Sequence, residues 1–361
     1  AIEQADEYNE PGVFTTFIGF EWTTLFNLHR VLIFRDDASK AGKILPLYPY
    51  NAASPESLWA YMQAYETKTG GEVLAIPHNA NLSNGVMFAL EDAKGNALSR
   101  TYAETRSRWE PLLEVTQIKG DSETHPLLSP IDEFSDFERM NGVFYSAYLE
   151  ELRRKGYLEY QNWFDKRKKK EIDDNWMRPY EYARSALKLG LEQQVKLGVN
   201  PFKFGMIGST DTHSSLSAVG ENNFFGKFST GAPNKDRIFG PWDSRFSKEE
   251  IDEFGPGWKQ NAAGYAAIWA EENTRESLFA AMKRKEVYAS TGPRITVRFF
   301  GGWDYQSDDA FKPDLARAGY NKGVPMGGDL TNAPNGASPN FLIRAVKDPD
   351  GANLDRVQVI K

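Results

Sequence analysis

The sequence predicts an α/β fold with parallel strands, either a barrel or a doubly wound sheet. Short β-rich segments alternate with longer segments of helical spacing through the first two thirds of the 361 residues, and parallel sheets covered by helices show this alternation. The hydrophobic content of 40% is sufficient for one large domain or two smaller ones. We therefore expect a folded protein with a substantial core.

The predicted elements follow from residue type and spacing. Ser54 and Pro55 begin a helix that Gly70 ends, because they are typical cap, first-turn and stop residues. β-Branched and aromatic content predicts the strands. The strands are expected at 14–22, 28–35, 72–77, 112–118 and 202–208, and further helices at 102–109, 144–160 and 180–197.

The residue composition and the predicted secondary structure change twice towards the C-terminus. Gly, Asn, Pro and Phe dominate 217–273, which predicts an irregular insertion within a domain of residues 1–294. A helix follows Thr274. Residues 295–361 then predict a β-rich C-terminal subdomain without helices, its strands at 295–300, 339–346 and 355–361.

Composition excludes several classes of protein. The net charge of −7 argues against a nucleic-acid partner or an anionic membrane surface, and the basic run 166–170 is interpreted as a solvated helix face. No uninterrupted apolar run reaches about 18 residues, so the sequence predicts no membrane span. Because the chain has no cysteine, disulfides and thiolate metal sites are excluded, and a transition metal would need His and carboxylate ligands.

Acidic and imidazole side chains recur where predicted strands end. They are Glu21, His78, Asp211 and His213, with Glu114 inside a strand. The carboxyl ends of parallel strands meet at one edge, so these groups are expected to converge there. Each residue also has an ordinary alternative, such as a helix N-cap for Asp211 or a hydrogen-bonded structural histidine for His78.

The Asp-x-His spacing of Asp211 and His213 places both side chains on one side of an extended or turning backbone. Without cysteine, such a carboxylate and imidazole pair suits one ion or two neighbouring ions of Zn²⁺, Mn²⁺ or Fe²⁺. A carboxylate that bridges two ions about 3.5–4 Å apart, a role expected for Glu21, would allow a metal-bound hydroxide to attack an ester. A Ser-His-Asp site stays open as an alternative, since Ser209, Ser214 and Ser215 flank His213.

Five stretches together resemble a known family: "FTTFIGFEWT", "NLHRVLIFR", "AIPHNANLSNG", "GSTDTHSS" and "YASTGPR". They are similar to a bacterial group of PHP-type (polymerase and histidinol phosphatase) metallohydrolase-like proteins, catalogued largely as a domain of unknown function. The resemblance implies a distorted (β/α)7 barrel with a centre of two or three divalent metal ions (Zn²⁺, Mn²⁺ or Fe²⁺) at the strand ends and no organic cofactor. It also implies the ligands Glu21, His29, His78, Asp211 and His213, with Glu21 and Asp211 in catalytic roles.

Further site residues are expected around this ligand set. Arg30, Arg35 and Arg294 could hold an anionic substrate group, and ordinary salt bridges would explain them equally well. His125 is assigned to a loop or substrate-facing position. Glu114 is expected to support the ligands or the core.

The sequence departs from the family pattern in one respect. It contains no His-x-His and no Asp-His pair, although PHP proteins open with strands that supply both. The barrel is therefore expected to lack its first strands, which a missing N-terminal segment or a second chain would supply. On this expectation, residues 1–361 alone would be inefficient as an enzyme and unstable.

The leading functional prediction is a metal-dependent hydrolase of small phosphate esters. The alternatives are a carboxylester or carbamate hydrolase at the same metal centre, and a non-catalytic binding protein on a degenerate barrel. Because relatives are often exported, a periplasmic or secreted location is expected, with the cytoplasm as the other possibility.

Overall fold

The structure of the chain is a computed structural model that describes residues 1–24, 28–48, 54–140, 174–213 and 264–361. The predicted helix at 144–160 and most of the predicted insertion lie outside these ranges. None of the helices described is both long and apolar enough to cross a membrane.

The described residues form seven α-helices and eleven strands. The helices are α1 (Ile2–Glu7), α2 (Ala38–Ala41), α3 (Pro55–Thr69), α4 (Arg100–Trp109), α5 (Ala183–Leu197), α6 (Arg275–Lys283) and α7 (Leu315–Lys322). The strands are β1 (Ile18–Thr23), β2 (His29–Phe34), β3 (Val73–His78), β4 (Leu112–Gln117), β5 (Gly120–Asp121), β6 (Gly205–Gly208), β7 (Tyr265–Ile268), β8 (Val287–Ser290), β9 (Thr296–Gly302), β10 (Gly323–Pro325) and β11 (Asn340–Val346).

The first three strands form an antiparallel sheet of order β1-β2-β3. The prediction of parallel strands is therefore wrong for this part of the chain. The connection between Thr23 and His29 is short, whereas a parallel crossover needs a dozen or more residues. A short connection of this kind makes adjacent strands antiparallel.

The parallel prediction is confirmed for β4 and β6, which pair in the sheet β5-β4-β6. β3 lies beside β4, and β6 lies beside the antiparallel pair of β7 and β8. The neighbouring strands thus run in the order β1, β2, β3, β4, β6, β8 and β7. Within the described ranges these small sheets do not close into a barrel, and the PHP-like barrel stays a prediction.

The two faces of this series of strands have separate cores. One face packs against α3, α4 and α5, and its buried residues include Trp22, Leu32 and Leu113. On the other face, α6 contributes Phe279 and Met282 to a smaller apolar cluster with Leu74, Leu112 and Ile207. Because side chains alternate along a strand, β2, β3 and β4 each contribute residues to both cores.

The C-terminal sheet has the order β10-β9-β11 and its own buried cluster around Phe300. The prediction that this region lacks helices is wrong, because α7 lies within it. Asp314 caps α7, and Leu315 and Ala318 are its buried residues. The strand predicted at 355–361 is also wrong: these residues are exposed and unpaired as strand, and the last strand ends at Val346.

A buried ion-pair network fixes β2 to the helical layer. Arg30 is fully buried and donates from Nε to Oε1 of Glu110 (2.9 Å), which also accepts a hydrogen bond from Trp59 Nε1 (3.0 Å). Arg106 Nε lies 3.1 Å from the second oxygen of Glu110. The carboxylate is thus neutralised between two guanidinium groups in the core.

We expect Arg30→Met to lower the free energy of unfolding by about 3–5 kcal/mol, because it leaves the Glu110 carboxylate short of a cation in a buried site. Chemical denaturation measures this. Arg35→Met, directly after the same strand, is the matched control and should cost no more than about 1 kcal/mol, since Arg35 pairs with Glu72 where solvent reaches both side chains. Equal losses in the two variants would contradict this account.

Candidate metal centre

Polar residues line one end of the face that α6 covers. Val31 and Ile33 share this face of β2 with His29, and Leu74 and Ile76 share that of β3 with His78, since every second side chain points the same way. In the strand register, Thr23 lies opposite His29, and His29 lies opposite His78. On the face that α6 covers, the apolar side chains of β2 and β3 therefore form a layer, and the candidate ligands lie at the end of that layer.

Glu21 of β1 lies between the two imidazoles. Its Oε1 accepts a hydrogen bond from His29 Nδ1 (2.8 Å) and another from His78 Nε2 (3.0 Å). One ligand atom from each of the three residues lies within 4.8 Å of the other two. Since a carboxylate only accepts hydrogen bonds, both ring nitrogens that face Glu21 hold a proton in this arrangement.

His29 shows why antiparallel pairing matters for the site. It is the first residue of β2, whereas Glu21 and His78 lie at the carboxyl ends of β1 and β3. An antiparallel strand begins at the edge where its neighbours end. The position of His29 therefore cannot be predicted from the carboxyl ends of strands, and its place among the expected ligands comes from the family resemblance alone.

The three residues perturb one another's protonation. Burial raises the pKa of Glu21, but the hydrogen bonds from His29 and His78 outweigh it and hold that pKa well below its ordinary value. Burial lowers the pKa of His29 to about 4. Burial also acts to lower the pKa of His78, but Glu21, Glu114 and Asp211 together raise it. The cluster is therefore an ionised carboxylate between one neutral and one readily protonated imidazole.

Asp211 and Glu114 lie next to this group. Asp211, which follows β6, adopts a left-handed backbone conformation (φ 50°) and forms an ion pair with Lys119. Left-handed non-glycine residues are uncommon and concentrate at functional turns. Glu114 is buried and accepts a hydrogen bond from Ser209. Burial raises the pKa of Glu114, and the nearby charge of Asp211 adds to that effect.

His213 lies apart from the three clustered residues in this structure. Its side chain is 39% exposed, and its Nδ1 donates to the backbone oxygen of Asp211 (2.9 Å) and lies 4.0 Å from Oδ1 of the same residue. The Asp-x-His pair therefore lies at the outer edge of the site, and the arrangement shown does not bring the imidazole to Glu21.

Two of the predicted substrate residues are engaged elsewhere. Arg30 points to the opposite face of β2 and is bound to Glu110. Arg35 follows the other end of β2, about 20 Å along the strand from His29, and pairs with Glu72. Neither guanidinium is available to hold a substrate at this edge.

His125 and Arg294 lie in separate surroundings. His125 packs against Tyr182, with ring centroids 5.4 Å apart, and burial lowers its pKa to about 4. Arg294 lies 5.9 Å from the ring centre of Tyr265 and lines a cleft of about 290 Å³. Gly264, the residue before Tyr265, donates to the backbone oxygen of Ser209 (3.0 Å).

Sequence reasoning missed Lys119, Ser209 as the partner of Glu114, and a buried amide network. Asn79 and Asn81 follow His78, and they join the segment after β4 through Gln117 and Ser122. The stretch "HNANLSNG" has a clear signal, because three asparagines and one serine directly after a buried strand are unusual unless they form hydrogen bonds.

The residues present fit a divalent transition-metal ion. Two imidazole nitrogens and one carboxylate oxygen form a donor set suited to Zn²⁺, Mn²⁺ or Fe²⁺, which lie about 2.0–2.2 Å from such ligands. Oε1 of Glu114 and Oγ1 of Thr116 are buried without a hydrogen-bond partner among the residues that the structure describes. A buried carboxylate oxygen without a partner favours a nearby cation.

The fold and site together define a mixed α/β protein with a candidate metal centre of histidine and carboxylate residues. The family model described as "Protein of unknown function (DUF3604)" matches residues 1–361, and the chain belongs to that family. No curated protein and no solved structure matches the chain.

The lowered pKa of His29 predicts an acid-sensitive contribution to stability. In metal-free protein, the unfolded chain takes up this proton near pH 6.5 and the folded protein only near pH 4. The contribution is therefore complete above pH 6.5 and is lost as the pH falls towards 4. Between pH 7 and pH 5, wild-type protein should lose about 2 kcal/mol more than His29→Asn.

Unfolding by urea in the presence of a chelator, at several pH values, measures this difference. Asn keeps a side-chain N–H for Glu21, and the exposed His213→Asn is the matched control, which should follow the wild-type curve. Parallel curves for wild type and His29→Asn would rule out the assigned protonation of His29.

Proposed function

We propose that the protein is a metal-dependent hydrolase that acts on phosphate esters. The main observation is the shared hydrogen bonding of His29 and His78 to one oxygen of Glu21, which assembles three metal-binding groups from three strands. The resemblance to PHP-type metallohydrolases supports the same reaction class. The proposal includes Asp211 as a ligand beside the cluster.

A divalent ion at such a site would lower the pKa of water and polarise the ester. The protein's own residues supply position and charge. Glu21, ionised because its pKa is held low, offers an anionic ligand, and His29 is neutral at physiological pH. Because Glu21 is 33% exposed, the cluster is open to a small molecule on one side.

His78 is the residue whose protonation competes with metal binding. Its pKa is raised above the ordinary value, so in the metal-free protein this imidazole keeps its proton to a higher pH than an ordinary histidine does. The ring nitrogen of His78 must be deprotonated before it can bind a metal ion. The affinity for the metal should therefore increase with pH.

We expect the wild-type protein to bind Zn²⁺ or Mn²⁺ and to release protons as it does so. His78→Asn should weaken binding by at least about 100-fold, since loss of a ligand costs more than loss of its supporting partner. Calorimetric titration in buffers of different ionisation enthalpy measures both affinity and proton release. His125→Asn, an imidazole outside the cluster, should bind as wild type does, and the absence of binding in wild type would refute the metal centre.

The reaction class is tested with metal-loaded protein on matched aryl phosphate and aryl acetate substrates. Turnover of the phosphate should fall by at least about 100-fold in Glu21→Gln and Asp211→Asn. Faster turnover of the acetate than of the phosphate would favour the carboxylester alternative. Tight metal binding without turnover of either substrate would favour a binding protein.

A further inference from the structure

Lys119 is a nearly buried cation in contact with the candidate metal centre. Its side chain is 11% exposed, and its ammonium group forms an ion pair with Asp211, whose side chain is 8% exposed. The charge of Lys119 also acts on His29 and Glu114. The ammonium group therefore lies at the polar edge of the sheet and close to several of the candidate ligands.

The backbone of Lys119 is held by the buried amide network. Its N–H donates to Oε1 of Gln117 (3.0 Å), and its carbonyl oxygen accepts from Nδ2 of Asn81 (3.1 Å). Gln117 in turn donates to Asn79, the residue after His78. The network ties the segment that contains Lys119 to the end of β3. Because the backbone that carries the cation is already ordered, the entropy cost of holding the long side chain in place is smaller than it would be on a mobile loop.

Lys119 has hydrogen-bonding capacity beyond its ion pair. An ammonium group has three donors, and Asp211 is the one partner of Nζ within the described part of the chain. In that same part, no other lysine or arginine pairs with Glu21, Glu114 or Asp211. Arg30 and Arg35, by contrast, are bound to acids away from this edge.

The acidic side chains around the site favour a role for such a cation in binding an anionic substrate. Glu21 and Asp211 would repel a phosphate group, and a buried ammonium group beside them offsets that repulsion locally. Lysine binds phosphate oxygens as a compact point charge. A neutral carboxylester would not need this group.

We propose that Lys119 binds the phosphate group of the substrate, with Nζ donating to a non-bridging oxygen while it keeps its contact with Asp211. This inference rests on the proposed function and deepens it, because it makes the substrate an anionic phosphate ester and gives the site its preference over carboxylesters. Lys119 acts by binding and orienting the substrate.

The test uses the full chain loaded with Mn²⁺ and inorganic phosphate as the probe, with binding measured by calorimetry. Lys119→Met keeps the length of the side chain and removes its charge. It should weaken phosphate binding about 10- to 100-fold, as expected for loss of a hydrogen bond to a charged group. Lys119→Arg should recover most of the affinity, and Lys203→Met, which removes an exposed ion pair with Asp329, should change nothing.

Kinetics provide a readout that a purely structural role would not produce. Lys119→Met should raise KM for an aryl phosphate about 10-fold or more and leave KM for the matched aryl acetate unchanged. Equal changes for the two substrates would overturn the inference, as would phosphate binding that is unchanged in Lys119→Met.

A measurement on wild-type protein decides the question if Lys119→Met does not fold. Phosphate should slow reductive methylation of Lys119 in the metal-loaded protein and leave that of Lys203 unaffected, as followed by mass spectrometry. Equal protection of both lysines, or of neither, would overturn the inference. Failure of wild type to bind metal overturns the proposed function itself, whereas metal binding with no effect of Lys119 overturns this inference alone.

Discussion

The Glu21 carboxylate, shared by two imidazoles from neighbouring strands, is the interaction on which the candidate site depends. One oxygen accepts both hydrogen bonds, and this arrangement requires β1, β2 and β3 to keep their register. A shift of one residue would move Glu21 or His29 to the opposite face, among the core residues packed by α3. The apolar layer of Ile33, Leu74 and Ile76 beneath the site specifies that register. Stability and site geometry are therefore set by the same alternation of side chains.

Much of the fold could be predicted, because it depends on local signals. Ser54, Pro55 and Gly70 determine the two ends of α3 through capping and left-handed geometry, and the structure confirms the helix they predict. Strand direction depends instead on connection length and tertiary pairing. Local composition does not contain that information, and β1 to β3 were wrongly predicted to be parallel. α7 was missed because its eight residues follow a proline-containing loop in a region of strong β-content.

The candidate site was predictable to the extent that strand ends mark it. Glu21 and His78 lie where their strands finish, and the structure brings them together. His29 begins a strand, and nothing local distinguishes it from a solvated residue. Lys119 was missed for a related reason: its importance comes from contact with Asp211, about ninety residues further along the chain, and from amides that fold back from the segment after His78. Long-range contacts of this kind have no counterpart in spacing or periodicity.

The balance of charge connects the protonation of the cluster to its proposed chemistry. Three acids, Glu21, Glu114 and Asp211, lie near one another. Among the described residues, Lys119 places positive charge beside Asp211, and the raised pKa of His78 favours a proton on its imidazole in the metal-free protein. The two sources differ in what can replace them. The proton on His78 must leave before the ring nitrogen can bind a metal ion. The Lys119 ammonium group, in contrast, is attached to a fixed loop and keeps its charge when the metal binds. A site built in this way can exchange a proton for a divalent ion and still retain one cation for an anionic substrate. That difference explains why His78 and Lys119, although they neutralise the same acids, are expected to have separate roles.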